Sequence, residues 1–304
     1  MEHNGSATIS GSQVTRWRAL SLKLFTGLII SLIVCAGVVF FTLRRVERAI
    51  AFHPQPAEVQ ADGVAGAEDV WFTNKAGNRL HGWFFQSSTR STKASLIYFH
   101  GNGGNIENIG WIGERFAARG FNVLLFDYRG YGRSEGYLED EEGLYADADA
   151  AYEYVLTQRG VDPKSLVLYG QSLGTAAVTD LASRRQCAAI VLESGMSSGS
   201  EMAKAALPWL PHSLYFLAKN RFDSARKLSL VHSAVLITHG EPDETVPTAQ
   251  ARALYAAANE PRRLLIFPGA GHNVFGFVGD KYLDLVASFI DEAITADQNN
   301  LAGR

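Results

Sequence analysis

Hydrophobic and polar positions follow two different rules along this chain. From Leu24 to Leu43, twenty successive positions carry no charge, and a helix of that length rises about 30 Å, the hydrocarbon thickness of a bilayer. Arg16, Arg18 and Lys23 precede the run, and Arg44, Arg45 and Arg48 follow it. The apolar residues show no one-sided spacing. The run is also longer than a signal-peptide core, and no Ala-x-Ala site follows it. Val34 stands where a lipoprotein signal at Cys35 would need a small residue. The pattern predicts a tail over 1–23 and an uncleaved single-pass anchor over 24–43. Equal numbers of basic residues on the two flanks leave the side of the membrane open.

Beyond about Ile50 the pattern becomes strand alternating with helix. Val70–Thr73 and Leu80–Phe85 flank a turn at Gly77 and predict a hairpin. Ser95–Phe99 is apolar throughout, as a buried central strand is. Ile106, Ile109, Ile112 and Phe116 have helical spacing, Phe121–Phe126 is a strand, and Asp140–Arg159 is a helix opening on acids and closing on Arg159-Gly160. Leu166–Tyr169, Ala188–Leu192, Val235–Thr238 and Leu264–Phe267 read as strands, with helices over Thr175–Arg184, Thr248–Asn259 and Lys281–Ala296. This order predicts an α/β domain over 50–296, a mostly parallel sheet with helices on both faces, and a flexible tail over 297–304. About forty residues between Glu193 and Ala234 exceed an ordinary connection. They predict a small helical cap at about 195–232 over the strand ends, or else a long crossover helix.

Composition narrows the field. A net charge of −3 gives no general attraction to nucleic acid. The two cysteines, Cys35 and Cys187, fall in different regions and form no disulfide framework. No H-E-x-x-H or C-x-x-C spacing suggests a metal, and no nucleotide-binding glycine motif suggests a cofactor.

Chemistry enters at Gly170-Gln171-Ser172-Leu173-Gly174, directly behind the strand Leu166–Tyr169. A serine in such a strand-to-helix turn is presented at the top of a sheet, and the glycines relieve crowding in the bend. An alcohol needs a base to become a nucleophile at neutral pH. Among eight histidines, His272 alone follows a late strand on a short polar loop, Pro268–Asn273. The acid that orients the base should sit between serine and histidine. Asp243, behind the strand Val235–Thr238, fits this position, with Glu193 as a competitor. Glu241 and Glu244 read as solvated neighbours. For the oxyanion, the amide of Leu173 is one donor. The loop His100-Gly101-Asn102-Gly103-Gly104-Asn105 offers a second, the amide of Asn102. The same composition also suits a plain turn or a phosphate cradle. His100 and His239 read as holders of their own loops. Asp127–Gly136 reads as a structural loop with an internal ion pair.

Taken in order, Tyr98–Asn105, Asp127–Gly132, Gly170–Gly174, His239–Pro247 and Gly269–His272 resemble the motifs of α/β-hydrolase-fold serine hydrolases. The chain is particularly similar to the α/β-hydrolase-domain proteins with one N-terminal transmembrane anchor. Glu241 stands where relatives often carry aspartate. The resemblance implies an eight-stranded, mostly parallel sheet, a triad of Ser172, Asp243 and His272, an oxyanion pair of Asn102 and Leu173, and acyl-enzyme chemistry without a cofactor. The expected function is a membrane-anchored hydrolase of carboxylic esters or thioesters, acting on a small molecule, an acyl lipid or an acylated protein. The alternatives are an amidase or peptidase with the same triad, and a non-catalytic binding protein on a retained hydrolase fold.

Overall fold

The structure is a computed structural model that describes residues 11–57, 64, 66–89, 92–206, 208–209, 215 and 218–302. The chain divides into two compact units, 1–50 and 51–304. The first is a helix, α1 (Gly11–Ala51), within which Leu22–Ala51 is long and apolar enough to cross a membrane. The twenty-residue run read from the sequence lies inside it, and the helix continues through the basic flanks on both sides.

In the second unit the described strands are β1 (His53–Pro54), β2 (Ala67–Thr73), β3 (Arg79–Phe85), β4 (Ala94–Phe99), β5 (Gly103–Gly104), β6 (Phe121–Phe126), β7 (Leu166–Gln171), β8 (Ala189–Glu193), β9 (Ala234–Gly240) and β10 (Arg262–Phe267). Eight of them form one sheet in the order β10-β9-β8-β7-β4-β6-β3-β2, and β1 pairs separately with β5. Pairing is parallel from β10 to β6 and antiparallel in β6-β3-β2. The expected sheet is therefore present, with a hairpin edge that makes its orientation mixed.

Burial explains the centre of this sheet. All six residues of β4 are buried, and they alternate between two cores. Ile97 and Phe99 enter one, while Leu96 and Tyr98 enter the other. The first core is closed by α3 (Glu141–Arg159), α4 (Leu173–Ala182) and α7 (Ala249–Ala257), through residues such as Leu144, Val178 and Leu254. The second is closed by α2 (Gly110–Ala118) and α9 (Asp280–Ala302), through Phe116, Tyr282, Val286 and Ile290. α3 starts where its acids predict, because the Asp140 carboxylate accepts from the Gly143 amide, and Gly160 ends it in the left-handed conformation.

Three features differ from the sequence reading. α9 runs to Ala302, past the expected end at Ala296, because no glycine interrupts it before Gly303. Within the expected cap at 195–232, the described helices are α5 (Gly199–Ala206) and α6 (Ser224–Leu228). Positions 207, 210–214 and 216–217, which include His212 and Phe216, lie outside the described residues. Finally, the ion pair of the Asp127–Gly136 loop is not internal. Arg129 reaches the buried Asp147 of α3 at 2.7 Å, while Asp127 accepts from the Ile106 amide at 2.9 Å.

Candidate active site

A sharp bend joins β7 to α4. Ser172 sits there at φ 54° and ψ −116°, a conformation that costs a residue with a Cβ about 1–3 kcal/mol. Contacts on either side hold it. A Cβ on Gly170 would lie 2.6 Å from the Gly174 carbonyl oxygen, and one on Gly174 would lie 1.9 Å from that of Phe99. The Ser172 amide donates to the Glu193 carbonyl at 2.8 Å, tying the bend to β8. Ser172 remains 9% exposed.

Two further loops converge on this serine. His272, on the loop between β10 and the short helix α8 (Val274–Val278), places Nε2 3.0 Å from the Ser172 Oγ and Nδ1 2.8 Å from the Asp243 Oδ2. Its side chain is 25% exposed, open to a substrate, while that of Asp243 is fully buried. Asp243 follows β9, and its Oδ1 accepts from the amides of Thr245 and Val246 at 2.9 Å each. Burial alone would raise its pKa. The hydrogen bonds of His239, His272 and the Val246 amide overcome that effect and hold the carboxyl well below the usual carboxylate range. An ionised acid bonded to Nδ1 leaves Nε2 to face the serine. Glu241 and Glu244 are exposed beside it, as expected for solvated neighbours.

Glu193, the competing acid, is placed elsewhere. Its buried carboxylate accepts from the Phe275 amide at 2.9 Å and the Tyr169 hydroxyl at 2.5 Å. Tyr169, Tyr282 and Thr238 continue this chain at 2.8 Å per step. Burial pushes the Glu193 pKa up, against the pull of these donors. Glu193 thus secures the start of α8, two residues beyond His272, and makes no bond to the imidazole. Its place at the end of β8 was legible; its partners, far away in sequence, were not.

The glycine loop lies beside the serine, since a Cβ on Gly101 would be 3.5 Å from the Ser172 Cβ. Among the described residues no group of the protein accepts from the backbone N–H of Leu173 or of Asn102. His100 holds its loop, as expected, by Nδ1–H donation to the Gly101 carbonyl at 2.8 Å. His239 does more than hold its turn. Its Nε2 lies 2.8 Å from the Val246 carbonyl and 3.2 Å from the Asp243 Oδ2. The four-residue spacing to Asp243 was the available signal for that second contact.

Comparison with known proteins bears on the family and the fold. The chain is 34% identical over 233 residues to alpha/beta hydrolase domain-containing protein 17C of Mus musculus, covering 75% of this chain and 69% of the relative. The chain belongs to the α/β-hydrolase family. This α/β-hydrolase is also 35% identical over 268 residues to an uncharacterized protein of Mycobacterium tuberculosis, covering 88% of this chain and 94% of that one. Residues 90–228 match the family described as serine aminopeptidase S33. An esterase of Pyrococcus furiosus shares the fold at a TM-score of 0.65 and 16% identity, covering 80% of this chain and 97% of the esterase.

Proposed function

We propose that this α/β-hydrolase is a membrane-anchored serine hydrolase that cleaves carboxylic esters or thioesters through an acyl-enzyme on Ser172. The observation that carries this reading is the unbroken path from the Asp243 Oδ2 to the His272 Nδ1 at 2.8 Å and from the His272 Nε2 to the Ser172 Oγ at 3.0 Å. As Oγ attacks the substrate carbonyl, Nε2 takes its proton, and the Asp243 carboxylate stabilises the imidazolium. The oxyanion is met by the amide N–H groups of Leu173 and Asn102. Collapse of the intermediate expels the alcohol or thiol, which takes the proton from His272. Water then repeats the sequence and frees the acid. Such a site needs no metal or cofactor.

The apolar run Leu24–Leu43 favours substrates that concentrate at a bilayer, acyl lipids or acylated proteins, reached by an anchored domain. Amide cleavage is the second reading, favoured by the serine aminopeptidase description of the matching family. The test presents the full chain in phospholipid vesicles with matched long-chain ester, thioester and amide substrates and with short soluble esters, alongside Ser172→Ala. Ester or thioester turnover that vanishes in the variant, with long chains preferred, is the expected result. Amide turnover exceeding both, or turnover surviving in the variant, overturns the reading.

A further inference from the structure

The loop that offers the Asn102 amide holds itself at one point, the bond from His100 to the Gly101 carbonyl, and is otherwise rich in glycine. Gly101, Gly103 and Gly104 surround Asn102, and Gly104 adopts φ +79°, so the local chain is unusually free. An oxyanion donor acts by being fixed before the charge develops, and a loop of this composition needs restraint from outside.

That restraint comes from the residues that follow α1. Phe52 is 4% exposed in the first core, with its ring edge-on to Phe222 at 6.3 Å. The amide of His53 donates to the Asn102 carbonyl at 2.9 Å, and β1 pairs in parallel with β5, His53 opposite Gly103 and Pro54 opposite Gly104. The Asn102 Nδ2 lies 3.2 Å from the His53 Nδ1. The Asn105 side chain donates to the carbonyls of Gln55 at 3.3 Å and Pro56 at 3.1 Å, and the Gly132 amide donates to Gln55 at 2.9 Å. From the opposite side, the buried Tyr131 hydroxyl donates to the same Asn102 carbonyl at 2.9 Å.

Two consecutive peptide groups are therefore held by their oxygens. The Gly101–Asn102 group, whose N–H is the proposed donor, has its carbonyl held by His100. The Asn102–Gly103 group has its carbonyl held by the His53 amide and Tyr131. Donors on the carbonyl side fix the plane in which each N–H points and strengthen it as a donor.

We infer that the strap Phe52–Pro56 and Tyr131 are positioning elements of the oxyanion site, so that the segment leaving the apolar helix is a working part of the catalytic machinery. The inference rests on the serine hydrolase reading above. The strap touches neither Ser172 nor His272; with Tyr131 it fixes the peptide group that follows the donor amide, and so anchors the Asn102 backbone from which that amide projects. Removing the hydrogen bonds to the Asn102 carbonyl should slow the chemical step and leave substrate binding nearly unchanged.

The experiment compares the full-length protein with Tyr131→Phe, which removes the hydroxyl, His53→Pro, which removes the backbone donor, and His53→Ala, which keeps that donor. Turnover of a p-nitrophenyl ester, inhibition by an acyl trifluoromethyl ketone that forms an oxyanion on serine, and thermal melting are measured for each. The expected loss is about three- to ten-fold in kcat for Tyr131→Phe and about ten- to a hundred-fold for its combination with His53→Pro. KM should stay within about twofold, His53→Ala should lose less than His53→Pro, and the ketone Ki should rise in step with the fall in kcat/KM. Unchanged kcat and Ki in the variants, beside a wild type that labels with a fluorophosphonate, contradict the inference while leaving the reading intact. Losses of kcat, KM and melting temperature together reduce the strap to a structural role and also contradict it. A wild type that neither labels nor binds the ketone removes the reading itself.

Discussion

The two loops that flank the candidate oxyanion site are fixed by opposite means. The bend at Ser172 is held by close packing: two glycines meet backbone atoms too close for any side chain, Gly170 within the bend and Gly174 against Phe99 of β4, and a helix begins at once. In the glycine loop at Asn102 the close contacts of Gly101 and Gly104 are with side chains, those of Gln171 and Asn108, rather than with backbone. Nothing lies within 4 Å of a Cβ placed on Gly103, and the Asn102 carbonyl is held by residues 49 and 29 positions away, His53 and Tyr131. One part is rigid through steric crowding against backbone and the other mainly through hydrogen bonds. The comparison teaches that a preorganised site need not be built from one kind of constraint, and that the two kinds should fail differently.

The strongest test concerns the arm that joins the bend to its base. Asp243→Asn keeps the shape but removes the charge and the preferred tautomer of His272. It should reduce kcat about 10³- to 10⁴-fold in steady-state assays with little change in KM. The same substitution bears on acid stability. The Asp243 carboxyl titrates below its usual range in the folded chain, so its stabilising contribution is complete above the unfolded value. That contribution fades as the pH falls through the lowered one. In denaturant titrations from pH 7 downward, the wild type should lose more stability over that acid interval than Asp243→Asn, and equal slopes would count against the assignment.

Next in size is the steric side of the comparison. Gly174→Ala presses a methyl group to 1.9 Å from the Phe99 carbonyl oxygen, a backbone atom that cannot swing away. It should cost about 3 kcal/mol or more, a drop of about 6–12 °C in melting temperature. Gly103→Ala, with open space around it, should melt within about 2 °C of the wild type, since surface changes that clash with nothing cost little. Equal melting shifts in the two would erase the distinction between them.

A smaller effect is expected beneath the base. Glu193→Gln weakens the bond that holds the Phe275 amide without touching His272. It should lower stability by about 1–2 kcal/mol in denaturant unfolding. The least effect belongs far from the site. Burial pushes the Cys187 thiol up to about 11, so iodoacetamide at pH 8 should leave it essentially unmodified in the folded protein. Its rapid alkylation, followed by mass spectrometry, would show that the first core opens readily.

What the sequence made legible follows the same division. Ser172 could be read because strand, glycines and helix lie in one short segment, and Asp243 and His272 because each sits behind a strand in the expected order. The strands with continuous apolar runs, β4 above all, appeared where burial on both faces demands them. The competition between Asp243 and Glu193 was not decided by pattern, because both end a strand and only the packing of α8 assigns Glu193 to the Phe275 amide. The ion pair expected within the Asp127–Gly136 loop gives way for a related reason: the carboxylate that meets Arg129 is Asp147, which α3 brings from outside the loop. The strap was invisible, since its hydrogen bonds use backbone groups that every residue carries, and His53 has no motif around it.

The most direct test of the central claim is fluorophosphonate labelling of the full-length protein, with the modified peptide located by mass spectrometry. The account predicts a single adduct on Ser172, absent from Ser172→Ala and slowed about a thousandfold or more in His272→Ala. Folded protein that takes no label, or that carries it on another residue, would contradict the account.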